Sequence, residues 1–236
     1  MLRVTTTAAA GSETGNRYPA NFDAYHLTKD PLVAVVADGM GDGPGSAMAG
    51  RTTVDIMAAA TPTVTGLRDA VARAHQQVRA FGGQIDELAG CTLTALAQSD
   101  DGFLVVQIGD SRLYRLRAGL LELLTVDHTM AWLGAVNGWF PFDSPHAATA
   151  RYQLTRYIGH PGAPSPDVLH VDPLPGDVLM LCTDGVAEQV PYHRILEILG
   201  SGASPSSMVR DLLAHADAAG GNDNATAIVV QVSSTP

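Results

Sequence analysis

The stretch "CTLTALAQSDDGFLVVQIGDSRLYRLRAGLLELL" at residues 91–124 decides the fold class. It contains three short apolar segments, 91–98, 103–108 and 112–117, which are bounded by Gly, Asp or Ser and therefore predict β-strands. Strands that follow one another this directly pair as antiparallel hairpins. A simple doubly wound dinucleotide-binding fold is excluded, because a helix separates its successive strands. We expect an α+β fold with two layers of mainly antiparallel sheet and helices packed outside.

The rest of the chain supplies further strands and the helices. Apolar runs predict strands at 32–37, 177–182 and 225–232. A stripe of apolar residues at helical spacing, from Leu67 to Phe81, predicts one amphipathic helix. The span 134–166 is rich in Gly, Pro and His with weak periodicity, which indicates a surface excursion. Other helices are predicted over 46–60, 192–199 and 205–218.

Composition limits the class of protein. The chain has 236 residues, of which 46% are hydrophobic and 16% are charged, and this favours a single folded domain over 1–236. A formal net charge of −10 argues against nucleic acid as a partner. Cys91 and Cys182 each lie in an apolar run, as expected of buried small hydrophobes. The sequence shows neither a signal peptide nor an apolar run of membrane-spanning length, so we expect a cytoplasmic protein without a membrane partner.

Four aspartates stand at the ends of predicted strands, three of them beside glycine: Asp38, Asp110, Asp184 and Asp223. One such residue is usually only a turn former. If strand 225–232 runs antiparallel to strands 32–37 and 177–182, however, all four carboxylates meet at one edge of the sheet. Like charges this close repel unless a cation neutralises them, and ligands that are all oxygen suit Mg²⁺ or Mn²⁺. Two such ions a few ångströms apart are a common device for hydrolysing phosphate esters.

Seven motifs follow in order along nearly the whole chain: "ADGMG" (37–41), "GCTLTAL" (90–96), "IGDSRLYRLR" (108–117), "LTVDHT" (124–129), "RYQLTRYIG" (151–159), "CTDGV" (182–186) and "GGNDNATAIVV" (220–230). Together they resemble the metal-dependent protein serine/threonine phosphatases, the type-2C or PPM family, in its compact bacterial form. The resemblance implies a four-layer αββα sandwich with a metal centre at one end. It also implies hydrolysis of phosphoserine and phosphothreonine in proteins by a water that bridges two ions, Mn²⁺ or Mg²⁺.

The same resemblance assigns the metal ligands. Asp38 corresponds to the acid that bridges both ions, and Gly39 supplies its backbone carbonyl to one of them. Asp184 and Asp223 correspond to the remaining ligands of the first ion. Asp110, with the equivalent of Asp184, corresponds to an acid that can hold a weaker third ion in bacterial members.

The N-terminal motif assigns two further residues and departs from the family at a third. Arg17 corresponds to the clamp on the substrate phosphate, although a solvated surface charge is the alternative. Asp23 is retained as a catalytic residue that holds metal-bound waters. Phe22 stands where the family carries Glu, and Arg17 lies one residue further from Asp23 than the family pattern has it. We therefore expect a weakened second metal site, unless Phe22 packs into the core and Asp23 takes over the role of the Glu.

Two other functions stay open at this stage. The glycine-rich "DGMGDGPGSAMAG" (38–50) favours the sporulation and sigma-factor branch of the fold, while "GDSRLYRLR" and "LTVDHT" favour the type-2C branch. Phe22 motivates a weakly active module that only binds phosphoproteins. We expect structural roles for Ser111, Arg112, His128 and Thr129. The apolar segment 130–150 is either a substrate-recognition surface or a packed lid. The expected partners are phosphorylated substrates of serine/threonine kinases, and the expected state is a monomer.

Overall fold

The structure, a computed structural model, describes residues 4–235. Two antiparallel five-stranded sheets form its centre, with strand orders β1-β10-β9-β6-β7 and β2-β3-β4-β5-β8. The strands are β1 (Val4–Glu13), β2 (Ala24–Lys29), β3 (Leu32–Ala37), β4 (Leu93–Ser99), β5 (Gly102–Ile108), β6 (Arg112–Arg117), β7 (Leu120–Leu123), β8 (Asp167–Val171), β9 (Val178–Cys182) and β10 (Ala225–Ser234).

Helices cover the outer faces of both sheets and complete the αββα sandwich. Their bounds are α1 (Pro44–Ala58), α2 (Val64–Ile85), α3 (Met130–Val136), α4 (Pro145–Ala150), α5 (Asp184–Ala187), α6 (Tyr192–Leu199) and α7 (Pro205–Ala218). The predicted bounds of β3, β6, α6 and α7 are confirmed to the residue. The predicted α+β class with two antiparallel layers is confirmed as well.

Three apolar clusters hold the four layers together. Between the sheets, Leu32, Phe103 and Leu181 belong to one fully buried cluster. Outside the second sheet, α1 and α2 bury a stripe that includes Leu67 and Val78, as the helical spacing predicts. On the outer face of the first sheet, α6 and α7 bury a third cluster. Burial of apolar surface stabilises the folded state by about 25 cal/mol per Å². These clusters therefore hold the two sheets together and fix the relative positions of the strand ends.

The structure corrects two sequence-based expectations. Strand β10 runs antiparallel to β9, but β3 lies in the other sheet, so the condition for a single shared edge is only half met. The four aspartates therefore approach from two sheets at one end of the sandwich, and the expectation of a single sheet edge is wrong. The span 134–166 also holds the end of α3 and all of α4, whose Ala147 and Ala150 pack on Ala131. This span therefore contains more regular secondary structure than the surface loop that the sequence predicted.

Candidate metal centre

The four predicted acids meet in one cavity of about 230 Å³. Asp38 follows β3 and Asp110 follows β5, both from the second sheet, while Asp184 follows β9 and Asp223 precedes β10 in the first. Gly39 lines the same cavity. The facing sheets thus bring all five predicted metal ligands together at one end of the sandwich.

Hydrogen bonds to Thr92, the residue before β4, hold the end of β3. The backbone N–H of Asp38 donates to Thr92 Oγ1 at 2.9 Å, and the N–H of Thr92 donates to the carbonyl of Asp38 at 2.8 Å. Thr92 Oγ1 is also 2.6 Å from Ser111 Oγ, which lies beside Asp110. The main chain of Asp38 is thereby fixed relative to the end of β5.

Two of the glycines beside the acids are required by close packing. A Cβ on Gly39 would overlap Ser46 Oγ and lie 2.8 Å from the carbonyl oxygen of Phe22. A Cβ on Gly185, directly after Asp184, would overlap the carbonyl of Asn224. The Asp-Gly pairs therefore let helix α1 and the start of β10 come within contact of the strand tips.

Burial and mutual repulsion raise the pKa values of the clustered acids. For Asp38 and Asp110, burial and the neighbouring Asp184 charge hold the pKa well above its usual value. Burial, with the charge of Asp223, raises the pKa of Asp184 to about 6. Burial also raises the pKa of Asp23 to about 7, against the hydrogen bonds of two threonines. Such crowding is stable at neutral pH only with protons or cations among the oxygens.

The donor set fits hard divalent cations. Asp23 Oδ1 and Asp184 Oδ1 are buried and lack a hydrogen-bond partner among the described residues, which leaves two carboxylate oxygens available as ligands. Carboxylate and backbone carbonyl oxygens are the ligands that Mg²⁺ and Mn²⁺ prefer. Within residues 4–235 no three acidic or imidazole side chains form one compact ion site.

Asp23 lies behind the cavity, where two threonines fix its carboxylate. Its Oδ2 accepts hydrogen bonds from Thr183 Oγ1 at 2.8 Å and from Thr226 Oγ1 at 2.7 Å. Thr183 and Thr226 belong to the ends of β9 and β10, so Asp23 is held against the first sheet. The charge of Asp23 contributes to the raised pKa of Asp38, and the charge of Asp184 contributes to the raised pKa of Asp23.

Arg17 lies over the ring of Tyr18, and Tyr18 lines the cavity. The Arg17 guanidinium is 5.0 Å from the centroid of the Tyr18 ring, a cation–π arrangement. Its charge lowers the pKa of Asp223, against the larger effect of burial. Arg17 is exposed to solvent beside this ring.

Comparisons with known proteins identify the family. A family model described as protein phosphatase 2C matches residues 20–224, which include all the acids of the cavity. The chain belongs to the protein phosphatase 2C family. It is a metal-dependent protein serine/threonine phosphatase, and its cofactor is a pair of divalent ions, Mn²⁺ or Mg²⁺.

Bacterial relatives agree with this family. The serine/threonine phosphatase Stp of Listeria monocytogenes is 26% identical over 211 residues, 84% of each chain. The phosphatase PstP of Mycobacterium tuberculosis is 30% identical over an alignment that covers 98% of this chain and 46% of that protein.

Solved structures agree as well. The PPM phosphatase MsPP of Mycobacterium smegmatis, in complex with cacodylate, is 34% identical with a TM-score of 0.83 over 95% of this chain and 97% of that one. The PstP catalytic domain in complex with two manganese ions is 27% identical with a TM-score of 0.85, over 98% of this chain and 100% of that one.

In this protein phosphatase 2C chain, the position of the family's Glu holds a buried phenylalanine. Phe22 is 8% exposed, and its ring meets Tyr18 edge-on at a centroid distance of 6.1 Å. Asp23, the next residue, keeps a carboxylate in the acid cluster. Of the two sequence-based interpretations, the structure favours the one in which Phe22 packs inside.

Four polar residues within the sequence motifs of the phosphatase have structural contacts. Arg112 binds Asp127 through two nitrogens, with Nη2 at 2.6 Å from Oδ2. His128 Nδ1 accepts the N–H of Gly109 at 3.1 Å, while Thr129 caps α3. Ser111, as described above, bonds to Thr92. The predicted structural roles of these four residues agree with their contacts.

Sequence reasoning missed several residues around the centre. Tyr18 and Tyr152 both line the cavity, and Thr92 and Asn224 line it as well. Tyr18 and Tyr152 lie outside helices and strands and belong to no motif of metal-binding or catalytic residues, so the sequence did not indicate them. Asn224, in contrast, lies inside the quoted "NDNAT" motif, and its place beside Asp223 was a usable signal.

Proposed function

We propose that Asp38, the Gly39 carbonyl, Asp184 and Asp223 hold the two catalytic ions of this phosphatase, and that Asp110 borders a weaker third site. The convergence of these acids from two sheets on one cavity carries the proposal. Support comes from the raised pKa values of the acids and from the unpartnered Oδ1 atoms of Asp23 and Asp184, among the described residues.

The chemistry proposed is hydrolysis of phosphoserine and phosphothreonine in proteins. Divalent ions bound here supply Lewis-acid activation of water and neutralise charge on the phosphate. Asp38, fixed at its main chain by Thr92, orients that pair of ions. Asp23, fixed by Thr183 and Thr226, orients water at the inner wall. These are preorganised groups, which act without rearrangement during the reaction.

We assign the substrate phosphate to Arg17. A guanidinium binds two phosphate oxygens at once. The contact with the Tyr18 ring restricts the conformations of the Arg17 side chain. The one-residue insertion before Asp23 places Pro19 in the same loop as Arg17.

The remaining parts of the proposal concern partners and setting. We propose phosphorylated substrates of serine/threonine kinases, a single phosphatase domain over 1–236, a monomer, and a cytoplasmic location without nucleic-acid or membrane partners. The net charge of −10 supports the absence of nucleic acid. Among residues 4–235, no helix has the length and apolar character needed to cross a membrane.

The test combines turnover with ion counting. Phosphate release from a phosphothreonine peptide should require added Mn²⁺ and stop in excess chelator. A calorimetric titration of the chelated protein with Mn²⁺ should show two ions bound per chain, and Arg17→Lys should raise the KM for the peptide more than it lowers kcat. Full turnover in chelator, or one ion per chain, would contradict the assignment.

A further inference from the structure

A larger cavity lies beside the metal centre, between strand β1 and helix α7. Its volume is about 630 Å³. One wall consists of residues 10, 11 and 13–15, at the end of β1 and in the turn after it. The other wall carries an exposed stripe of α7, formed by Ser206, Arg210, Ala214 and Asp217. A cavity of this size accommodates several side chains of a peptide.

Strand β1 is the edge of its sheet. It pairs with β10 alone, over all ten residues from Val4 to Glu13. Within residues 4–235, no backbone hydrogen bond joins its outward edge to another segment. Its sequence "VTTTAAAGSE" contains neither Lys nor Pro, the residues that usually protect an exposed edge. The outward N–H and C=O groups of β1 are therefore available to a further strand.

The floor of the cavity is narrow and apolar. Val209 and Leu213 of α7 are buried there, and a Cβ on Gly11 would lie 2.8 Å from Val209 and 2.9 Å from Leu213. Glycine at this position lets β1 approach α7 closely. A strand edge beside an apolar helix wall is the geometry that binds extended peptides by strand addition.

The cavity adjoins the metal centre. Asp223 lines both this cavity and the one that holds the acids. Glu13 and Asp217 lie at the end next to Asp223, whereas Arg210 lies further along α7. The charge of the wall is thus acidic close to the metal centre and basic further away.

We propose that this cavity, which we call the β1–α7 groove, binds the segment of a phosphoprotein substrate that follows its phosphorylated residue. The inference rests on the proposed phosphatase function. Strand β1 runs toward the metal centre, so a segment added antiparallel to it runs away from the centre. Residues C-terminal to the phosphothreonine therefore occupy the groove, with a basic residue first and small apolar residues at alternate positions after it. The part of β1 that lines the groove ends at Glu13, and strand residues 10–13 give about 13 Å of extended edge, enough for about four substrate residues.

Peptides extended on one side or the other test the direction in which the substrate runs along the groove. The probes are a phosphothreonine peptide with about two residues on each side, and two versions extended by about four Lys- and Val-containing residues on the N-terminal or the C-terminal side. We expect the C-terminal extension to lower KM about tenfold with little change in kcat, because it adds binding outside the reacting group. An equal gain from the N-terminal extension, or no gain from either, would overturn the proposal.

A matched pair of variants tests the location. Ala214→Trp fills the groove, whereas Ala218→Trp makes the same change at another exposed alanine of α7 outside it. Ala214→Trp should remove the advantage of the C-terminal extension, and Ala218→Trp should keep it. Both should hydrolyse p-nitrophenyl phosphate at the wild-type rate. An advantage that survives Ala214→Trp contradicts the groove.

Amide hydrogen exchange separates this proposal from the catalytic one. A non-hydrolysable phosphonate version of the C-terminally extended peptide should slow exchange at outward amides of β1, whether or not the protein turns over any substrate. Loss of all turnover by the wild-type protein with Mn²⁺ would then count against the phosphatase assignment alone. Protection confined to α3 and α4 would overturn the groove. Protection of β1 that rises with protein concentration, without peptide, would assign the edge to a second copy and also overturn it.

Discussion

The side-chain Oδ1 of Asn224 accepts the backbone N–H of Phe22 at 2.7 Å. The same side chain donates through Nδ2 to the carbonyls of Thr14, at 2.6 Å, and Ala20, at 3.2 Å. Asn224 directly follows Asp223, so one buried amide connects a proposed metal ligand to both ends of the loop that carries Arg17. The position of the proposed phosphate clamp therefore depends on a residue outside that loop.

Replacing this amide should weaken both stability and substrate binding. In Asn224→Ala three hydrogen bonds are lost, and at about 1 kcal/mol each the free energy of unfolding should fall by about 2–4 kcal/mol. The loosened loop should raise the KM for a phosphothreonine peptide more than it lowers kcat. Urea unfolding and steady-state kinetics measure the two effects. Asn222→Ala is the control, because Asn222 is exposed and, among residues 4–235, its side chain donates a hydrogen bond to Gln189 alone.

Restoring the family's acid at position 22 should harm this protein. Phe22 is buried against Tyr18, so Phe22→Glu places a carboxylate among apolar contacts and near other acids. We expect unfolding to become easier by about 2–4 kcal/mol, without a lower Mn²⁺ requirement for activity. The sequence alone led to the opposite hypothesis, that Glu improves metal use. Melting curves and Mn²⁺ titrations of the wild type, Phe22→Glu and the milder Phe22→Leu distinguish the two.

The bridging role proposed for Asp38 predicts a large loss of rate when its charge is removed. Asp38→Asn keeps the shape of the side chain but removes the charge that positions both ions, so kcat/KM should fall about a thousandfold or more. The circular dichroism spectrum should stay that of the wild type. Asp42→Asn makes the same change at an exposed residue four positions away and should keep full activity. A similar rate for the two variants would rule out a bridging Asp38.

Removal of the ions should also destabilise the fold. Ions that bind only the folded state stabilise it by mass action, by about 2.7 kcal/mol at a hundredfold excess over the Kd. Chelation should therefore lower the Tm of the wild type and lower that of Asp38→Asn much less. Equal melting temperatures with and without Mn²⁺ would contradict ion binding at the acid cluster.

The central strands and helices of the fold could be predicted from the sequence, because buried elements are rich in apolar residues at regular spacing. Strand β3 is apolar throughout and α2 has a regular apolar stripe, so both were predictable. Strands β1 and β2 were missed because they are edge strands, rich in Thr and Ala or half exposed, and carry little apolar pattern. Helices α3 and α4 were missed because they are short and depend on the capping residues Thr129 and Ser144.

The candidate site was predictable in its residues but not in its assembly. The acids stand out because each ends or precedes an apolar strand. Their approach from two different sheets depends on the packing of β3 against β9 and β10, which no local pattern contains. The buried position of Phe22 likewise depends on two contacts that no local pattern shows. Tyr18 lies in the same irregular loop, and Asn224 is about 200 residues away in the sequence.

The buried histidine of α2 makes stability depend on pH. His75 Nδ1 accepts the N–H of Gly159 at 3.1 Å, so the neutral ring carries its proton on Nε2 and donates to the carbonyl of Pro164 at 3.2 Å. Burial lowers the pKa of His75 below 6.5, and the charges of His160 and Arg79 act in the same direction. Below pH 6.5 the unfolded state therefore binds more protons at this residue than the folded state does, and the protein loses stability as the pH falls.

Replacing the ring by a group that does not titrate isolates this effect. His75→Gln should be less stable than the wild type at pH 8, because an amide fits the two hydrogen bonds less well. The difference in the free energy of unfolding between the two proteins should shrink as the pH falls from about 7 to about 5. Over this range only the wild type loses stability, because its folded state keeps the imidazole neutral while its unfolded state binds a proton. Urea unfolding of both proteins at several pH values measures the difference, and the acids of the metal centre contribute equally to each. A stability difference that stays constant over this range would show that His75 titrates alike in the folded and unfolded states.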